Sequence, residues 1–184
     1  MMTGWIILAV VVLVVMMVIG MFNTLVQMRV SVQNAWAQID VQLKRRHDLI
    51  PNLVEVAKGY MAHERGTLES VTKARQMAVD ATTIKDKLAA ENVLTSTLRS
   101  LMAVSENYPN LKADQTMMRL QEELTTTENK IGFARQFYND EVGRYNIMIQ
   151  TFPNSVIAGQ FGFQASEFFK LDDVAERNAP QVKF

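Results

Sequence analysis

Two histidines, His47 and His63, are the first side chains to test for metal binding or acid–base work in this cysteine-free chain. His63 is followed by Glu64, but Thr67 stands where H-E-x-x-H needs its second imidazole. The pattern that places two zinc ligands on one helical face is therefore incomplete. His47 lies between Arg46 and Asp48 with no second ligand at metal spacing, so both histidines read as surface or hinge side chains. No Glu-x-x-His repeat marks a di-metal bundle. No glycine-rich turn ends in Lys and Ser/Thr to cradle phosphate, and no serine sits in G-x-S-x-G. The absence of cysteine excludes disulfides, thiol nucleophiles, Fe–S clusters and thiolate zinc sites. No catalytic, cofactor-binding or metal-ligating residue is assigned, and the expectation is a non-enzymatic protein without a cofactor. Basic and acidic residues number 19 each and cancel, which removes the basic surplus of a nucleic-acid partner.

With no chemistry to position, the patterning itself carries the information. The first 28 residues hold none of the chain's charges. Gly4 to Met21 reads GWIILAVVVLVVMMVIGM, and with its flanks reaches the roughly 20 residues that cross a ~30 Å hydrocarbon core. The expected anchor residues are Trp5, Ile6, Val11, Leu13, Val18 and Phe22, with the Trp5 indole at an interface. A cleaved signal peptide would carry a positive n-region, a shorter apolar core and a small-x-small cleavage site. A core helix would keep one polar face, which this segment lacks. Arg29, Lys44, Arg45 and Arg46 follow the span, and only the α-amino group precedes it. The positive-inside rule then puts the following domain in the cytoplasm, with a periplasmic or extracellular placement as the alternative. The expected location is a bacterial cell membrane, crossed once.

From Leu25 onward a four–three spacing runs through Leu25, Arg29, Val32, Trp36, Ile39, Leu43, Arg46, Ile50, Leu53, Ala57 and Tyr60. This heptad stripe predicts a long helix, continuous with the anchor, that buries one face. Pro51 predicts a kink or restart near Asp48–Leu49, with Asp48 as the cap. A turn is expected around 59–66, then a helix over Thr67 to Ala81 on Leu68, Val71, Ala74 or Arg75, and Ala78. Thr82–Thr83 reads as a loop and N-cap for a helix over Ile84 to Asn107, which carries Leu88, Leu98, Leu101 and Met102. Pro109 ends it. A last long helix follows from about Ala113 to Gln150, with a stripe from Met117 to Ile149, and Phe152–Pro153–Asn154 stops it. The fold class is all-α: an N-terminal transmembrane helix followed by an antiparallel, coiled-coil-like bundle of three to four long helices. The expected division is 1–28 as anchor, 29–152 as bundle, and 153–184 as an aromatic-rich segment with a polar tail from Asp172.

Residues 152–169 hold five of the nine phenylalanines. Gly159 and Gly162 argue against a long helix there, although Ala165 to Phe169 suits a turn. The rings either pack back on the bundle or form a contact surface, since a large exposed apolar patch usually marks a partner site. Candidate oligomer or partner contacts are Trp36, Leu43, Phe161, Phe163, Phe168 and Phe169. Arg29, Asp40, Arg46, Asn129 and Arg135 are polar residues on or beside the stripes. Burial there is costly unless they pair, and they are read as fixing helix register through cross-helix hydrogen bonds.

The stretch AWAQIDVQLKRRHDLIPNLVEVAKGYMAHERGTLESVTKAR (Ala35 to Arg75) closely resembles the signature of the LemA family. A second block, LQEELTTTENKIGFARQFYNDEVGRYNIMIQTFPNSVIAGQFGF (Leu120 to Phe163), resembles its C-terminal half. Residues Ile84 to Thr97 match least, as expected of a solvent-facing region. The resemblance implies a helical bundle behind an N-terminal membrane helix and carries over no catalytic residue. Relatives in magnetic bacteria are linked to organelle membrane formation, which by analogy implies a membrane-organising role. The expected function is a membrane-anchored scaffold or adaptor that self-associates, with the lipid bilayer, copies of itself and another membrane protein as partners. The alternative is a transmembrane sensor or regulatory accessory protein hinged at Pro51.

Overall fold

The computed structural model describes residues 2–169, and these are helical throughout their regular structure, with no strand among them. Helix α1 runs over Met2–Tyr60, α2 over Arg65–Asp80, α3 over Ile84–Ser105, α4 over Pro109–Lys112, α5 over Gln115–Gln150 and α6 over Asn154–Phe161. Four helices are thus long and two are short. The polar tail from Asp172 lies outside the described residues.

Proline does not restart α1. The helix continues through Pro51, and Asp48 is an ordinary exposed helical residue rather than a cap. The reason is a replacement hydrogen bond. Proline has no N–H to donate to the carbonyl four residues earlier, which here is that of His47. The Arg75 side chain fills the gap, its Nε–H donating to the His47 carbonyl oxygen at 2.7 Å. A tertiary contact from α2 therefore supplies what the local sequence removed.

Helix ends follow local chemistry. Thr83 caps α3, its hydroxyl accepting from the Asp86 N–H at 3.1 Å. Pro109 opens α4 at its first position, where a missing N–H has no consequence. Asp114 accepts from the Met117 N–H at 2.9 Å at the start of α5. That N–H bond, first among several, holds the Asp114 carboxyl below its ordinary range. The Tyr60 hydroxyl donates to the same carboxylate at 3.0 Å, joining the end of α1 to the start of α5.

The chain divides into two compact units, and each long terminal helix contributes a segment to both. The first comprises residues up to Val41 and 130–168; the second comprises 42–129 with Phe169. The second unit holds a continuous apolar core. Its members include Ile50, Leu53, Ala57 and Met61 of α1 or just beyond it, Leu68 and Val71 of α2, Leu94 and Leu101 of α3, and Met117 and Leu124 of α5. The members named on each helix are three, four or seven residues apart, so each helix buries one stripe. On α3 the stripe is Glu91, Leu94, Leu98, Leu101 and Ser105, all buried. The sequence reading through Leu88 and Met102 is displaced by one position, and both of those side chains are only half-buried. The segment 84–97 is not solvent-facing as a whole, because Ala90, Glu91 and Leu94 point into this core.

In the first unit, α1 buries Leu25, Val32, Ala35 and Ile39, and α5 buries Ile131, Tyr138, Val142, Tyr145 and Ile149. Trp36 meets Tyr138 edge to face at 5.4 Å between ring centroids. The chain then forms α6, a short helix that the aromatic segment gave no reason to expect. Gly162 ends it in the left-handed region at φ 69°, where a residue without Cβ carries no steric cost. Residues 163–169 are not helical, so the turn expected at Ala165 to Phe169 is absent. Instead this irregular run is tied down by α5. Asn146 accepts from the Ser166 N–H and donates to the Ser166 carbonyl, both at 2.9 Å, and the Tyr138 hydroxyl donates to the Glu167 carbonyl at 2.9 Å.

The Pro51–Arg75 compensation makes a double-mutant prediction. Arg75→Met should cost about 1–3 kcal/mol, the range for losing a charge-assisted bond to a buried acceptor. In a Pro51→Ala background, residue 51 regains its N–H and the same change should cost less than half as much. Denaturant unfolding of the four proteins measures this coupling directly.

Candidate functional site

The most polar buried group of the second unit centres on Arg46. This side chain occupies a core position of the α1 stripe and is only 2% exposed. A buried guanidinium is strongly unfavourable unless ion-paired and hydrogen-bonded. Three side chains from two other helices do this. One terminal nitrogen, Nη2, is ion-paired with the Glu91 carboxylate on α3. The other, Nη1, donates to Glu128 Oε1 on α5 at 2.6 Å and to the Thr95 hydroxyl on α3 at 3.1 Å.

His47 is not a surface or hinge side chain. It is buried beside this group, with Nε2 2.6 Å from Glu91 Oε1. Its pKa falls from 6.5 to about 4, first because burial disfavours the imidazolium and then because Arg46 and Arg75 repel it. The Glu91 charge is engaged by Arg46, so Glu91 serves a neutral imidazole as a hydrogen-bond acceptor from Nε2–H. The backbone carbonyl of the same histidine receives Arg75. Glu91, Glu128, Thr95, His47 and Arg75 thus tie four helices, α1, α2, α3 and α5, together around Arg46.

Sequence reasoning singled out Arg46 and missed its partners. A signal for Glu91 was present: it sits one step of three before Leu94 on the 91–94–98–101–105 series. A carboxylate in a core series facing an arginine in another core series is the pattern to seek.

The other sequence-nominated residues fall elsewhere. Arg29 is exposed, its guanidinium 5.1 Å from the centre of the Phe163 ring, a cation–π distance. Asp40 and Arg135 are half-buried, and Asn129 is exposed. Leu43 is buried and Trp36 half-buried against Tyr138. Phe163 and Phe169 are buried, whereas Phe161 and Phe168 are exposed. Phe22 meets Phe161 at 5.0 Å and Phe163 at 5.7 Å, both edge to face. Phe161 and Phe163 of the aromatic segment therefore gather at the end of the apolar stretch. Trp5, Ile6, Val11 and Leu13 of that stretch are exposed, Val18 is half-buried, and the most apolar 18-residue window is not buried by the rest of the described protein.

An all-helical chain whose first helix is apolar and long enough to cross a bilayer fits the class of membrane-associated helical proteins. The LemA family model matches residues 35–184, and the chain belongs to that family. It is 26% identical to the magnetosome protein MamQ 2 of Paramagnetospirillum magneticum over 175 residues, 81% of this chain and 64% of that protein. It is 24% identical to the magnetosome protein MamQ of Magnetospirillum gryphiswaldense over 80% of this chain and 64% of that one. Against the protein LemA of Metamycoplasma hominis the identity is 26%, over 84% of this chain and 74% of that protein. The chain therefore spans under two thirds of the length of the MamQ relatives.

Two outcomes follow from the cluster. Glu91→Leu leaves a buried arginine short of its main partner and should cost about 3 kcal/mol, whereas Asn129→Ala, at an exposed site, should stay within about 0.5 kcal/mol. The unfolded imidazole titrates near 6.5 and the folded one near 4, so between these values the unfolded chain binds more protons. The His47 contribution to stability is complete above pH 6.5 and declines as pH falls towards 4. Unfolding midpoints across that window should fall more steeply for the native chain than for His47→Gln.

Proposed function

We propose that this protein is a non-enzymatic, membrane-anchored helical scaffold or adaptor that self-associates and organises membrane or partner proteins. In this reading α1 spans the bilayer once, and the helices beyond it form an antiparallel bundle on the cytoplasmic side, where Arg29 and Lys44–Arg46 direct it. The magnetosome names of the MamQ relatives support a role at a membrane.

The observation that carries self-association is a set of apolar side chains exposed on the outward sides of α1 and α5 in the first unit, beside polar neighbours such as Asn34 and Lys130. Phe133 is 74% exposed, and Phe137, one turn along α5, is also exposed. At 3.6 residues per turn both lie roughly opposite the buried Tyr138–Val142 side. On α1, the exposed Val30, Ala37 and Val41 lie roughly opposite the buried Val32–Ile39 side. Residues 30–39 carry no charge, unlike an ordinary solvated helix face. The Trp36–Tyr138 contact sets the level of the two helices, which brings Val41 level with Phe133 and Ala37 level with Phe137. A shared membrane holds every copy at the same height. The α1 face of one copy then meets the α5 face of the next, a heterologous contact that repeats into rings or arrays.

A second reading, a transmembrane sensor or regulatory accessory, draws support from α1 running unbroken from Met2 through Pro51 to Tyr60. Such a helix transmits a shift, and Pro51→Ala should then change partner binding; unchanged binding removes this reading.

The chain has no native cysteine, so the scaffold is testable by oxidation in membranes. Full-length chain carrying both Val41→Cys and Phe133→Cys should give a ladder of cross-linked species, and each single variant should stay monomeric. Light scattering in nanodiscs should give a defined oligomer. One chain per particle, with no ladder, ends the self-association proposal.

A further inference from the structure

We infer that the end of α5, together with α6, forms a second membrane-contacting element that lies in the headgroup layer beside α1, separate from the spanning segment. The occupant of this surface is the lipid interface, and the inference rests on the bilayer anchor proposed above.

Three observations converge. The first is charge. Tyr145 to Ser166 is a run of 22 residues without Asp, Glu, Lys or Arg, bounded by Arg144 and Glu167. Outside the N-terminal stretch, a polar-surfaced protein rarely presents so long an uncharged run to water. The second is exposure. Within that run Phe152 is 79% exposed, and Ile147, Val156 and Phe161 are exposed as well. Burying such side chains in an apolar medium is favourable, a gain that the described contacts leave unused. Phenylalanine and aliphatic side chains on an uncharged short helix suit the headgroup–acyl boundary.

The third is level. The Phe161 and Phe163 rings meet Phe22, the end of the apolar stretch. Arg29, the first charged residue of α1, sits over Phe163, and the Trp36–Tyr138 contact, seven residues along from Arg29 and from Tyr145, puts those two residues at one level. The charge-free parts of α1 and α5 therefore begin at a common level. Phe22 and Arg29 are seven residues apart, about 10 Å along a helix, close to the depth of one headgroup layer, about 5–8 Å. Arg29 and Arg144 then stand at the outer edge of that layer, where cations meet lipid phosphates. Above it the ordinary charged surface of the protein resumes.

Depth-dependent fluorescence quenching tests this. Single cysteines at Val156, Ile147, Gln136 and Leu13 of the otherwise cysteine-free full chain are labelled with an environment-sensitive dye and reconstituted in phosphatidylcholine–phosphatidylglycerol vesicles. The dyes at 156 and 147 should shift to the blue and be quenched at least threefold more by lipids spin-labelled near the headgroup than the dye at 136, an exposed α5 site beyond the charge-free run. The dye at 13 should be quenched by deep spin labels. If 13 is quenched but 156 and 147 behave like 136, the interfacial element is wrong and the anchor stands. If 13 is also unquenched, both fail. If 156 is protected from aqueous iodide yet blind to spin-labelled lipid, and becomes accessible on dilution with excess lipid, a second copy covers the patch and the inference is overturned.

Discussion

The second unit depends on a cation placed where a hydrophobic residue would normally pack. Arg46 interrupts a stripe that otherwise reads Ile39, Leu43, Ile50, Leu53, Ala57, and its burial is tolerable only if carboxylates arrive from other helices. Glu91 and Glu128 meet that demand from α3 and α5. An apolar stripe can slide past its neighbour by a turn at modest cost, because leucine meets leucine again. A buried ion pair cannot, since a slipped register leaves charge unpaired in a medium of low dielectric. The same carboxylate holds His47 through its ring. One level of the unit is therefore specified by directional contacts, and the levels around it by packing.

The continuity of α1 is a related case of tertiary override. Proline in a helix interior normally costs about 3 kcal/mol, partly through the orphaned carbonyl one turn back. Here the orphan faces α2, and Arg75 reaches it. The guanidinium is a strong donor to a carbonyl that an uncharged helix would leave bare. The arrangement keeps a 59-residue helix unbroken, so that it contributes an apolar N-terminal stretch and a core stripe within a single element.

Charge distribution organises the first unit. Residues 2–28 of α1 and 145–166 are both uncharged, and contacts of Phe22 with Phe161 and Phe163 bring the two runs together. Asn146 and Tyr138 satisfy the backbone of the chain after α6, so the aromatic segment is held without a regular helix or sheet. The rings divide into two groups: Phe163 packs inward, while Phe152 and Phe161 point outward. The mixture reconciles the two readings of the segment, packing on the protein and presenting a surface.

Periodicity was enough to find most of this architecture. The α5 series from Met117 to Ile149 is buried at every position but the half-buried Ala134, and Leu68, Val71, Ala74 and Ala78 of α2 all lie inward. The apolar stretch, the Thr83 cap and the break before Pro109 are local properties, written in hydrophobicity, a hydroxyl and a missing N–H. What tertiary structure alone decided was non-local. Whether Pro51 ends a helix depends on a donor 24 positions away at Arg75. Whether Arg46 is solvated or buried depends on carboxylates 45 and 82 positions away, at Glu91 and Glu128. His47 looked like a surface side chain because its two neighbours are charged, and α3 buried it. The short α6 and the outward phenylalanines escaped for the same reason: composition reveals an aromatic segment, but only packing determines which rings find a protein neighbour and which are left for another surface.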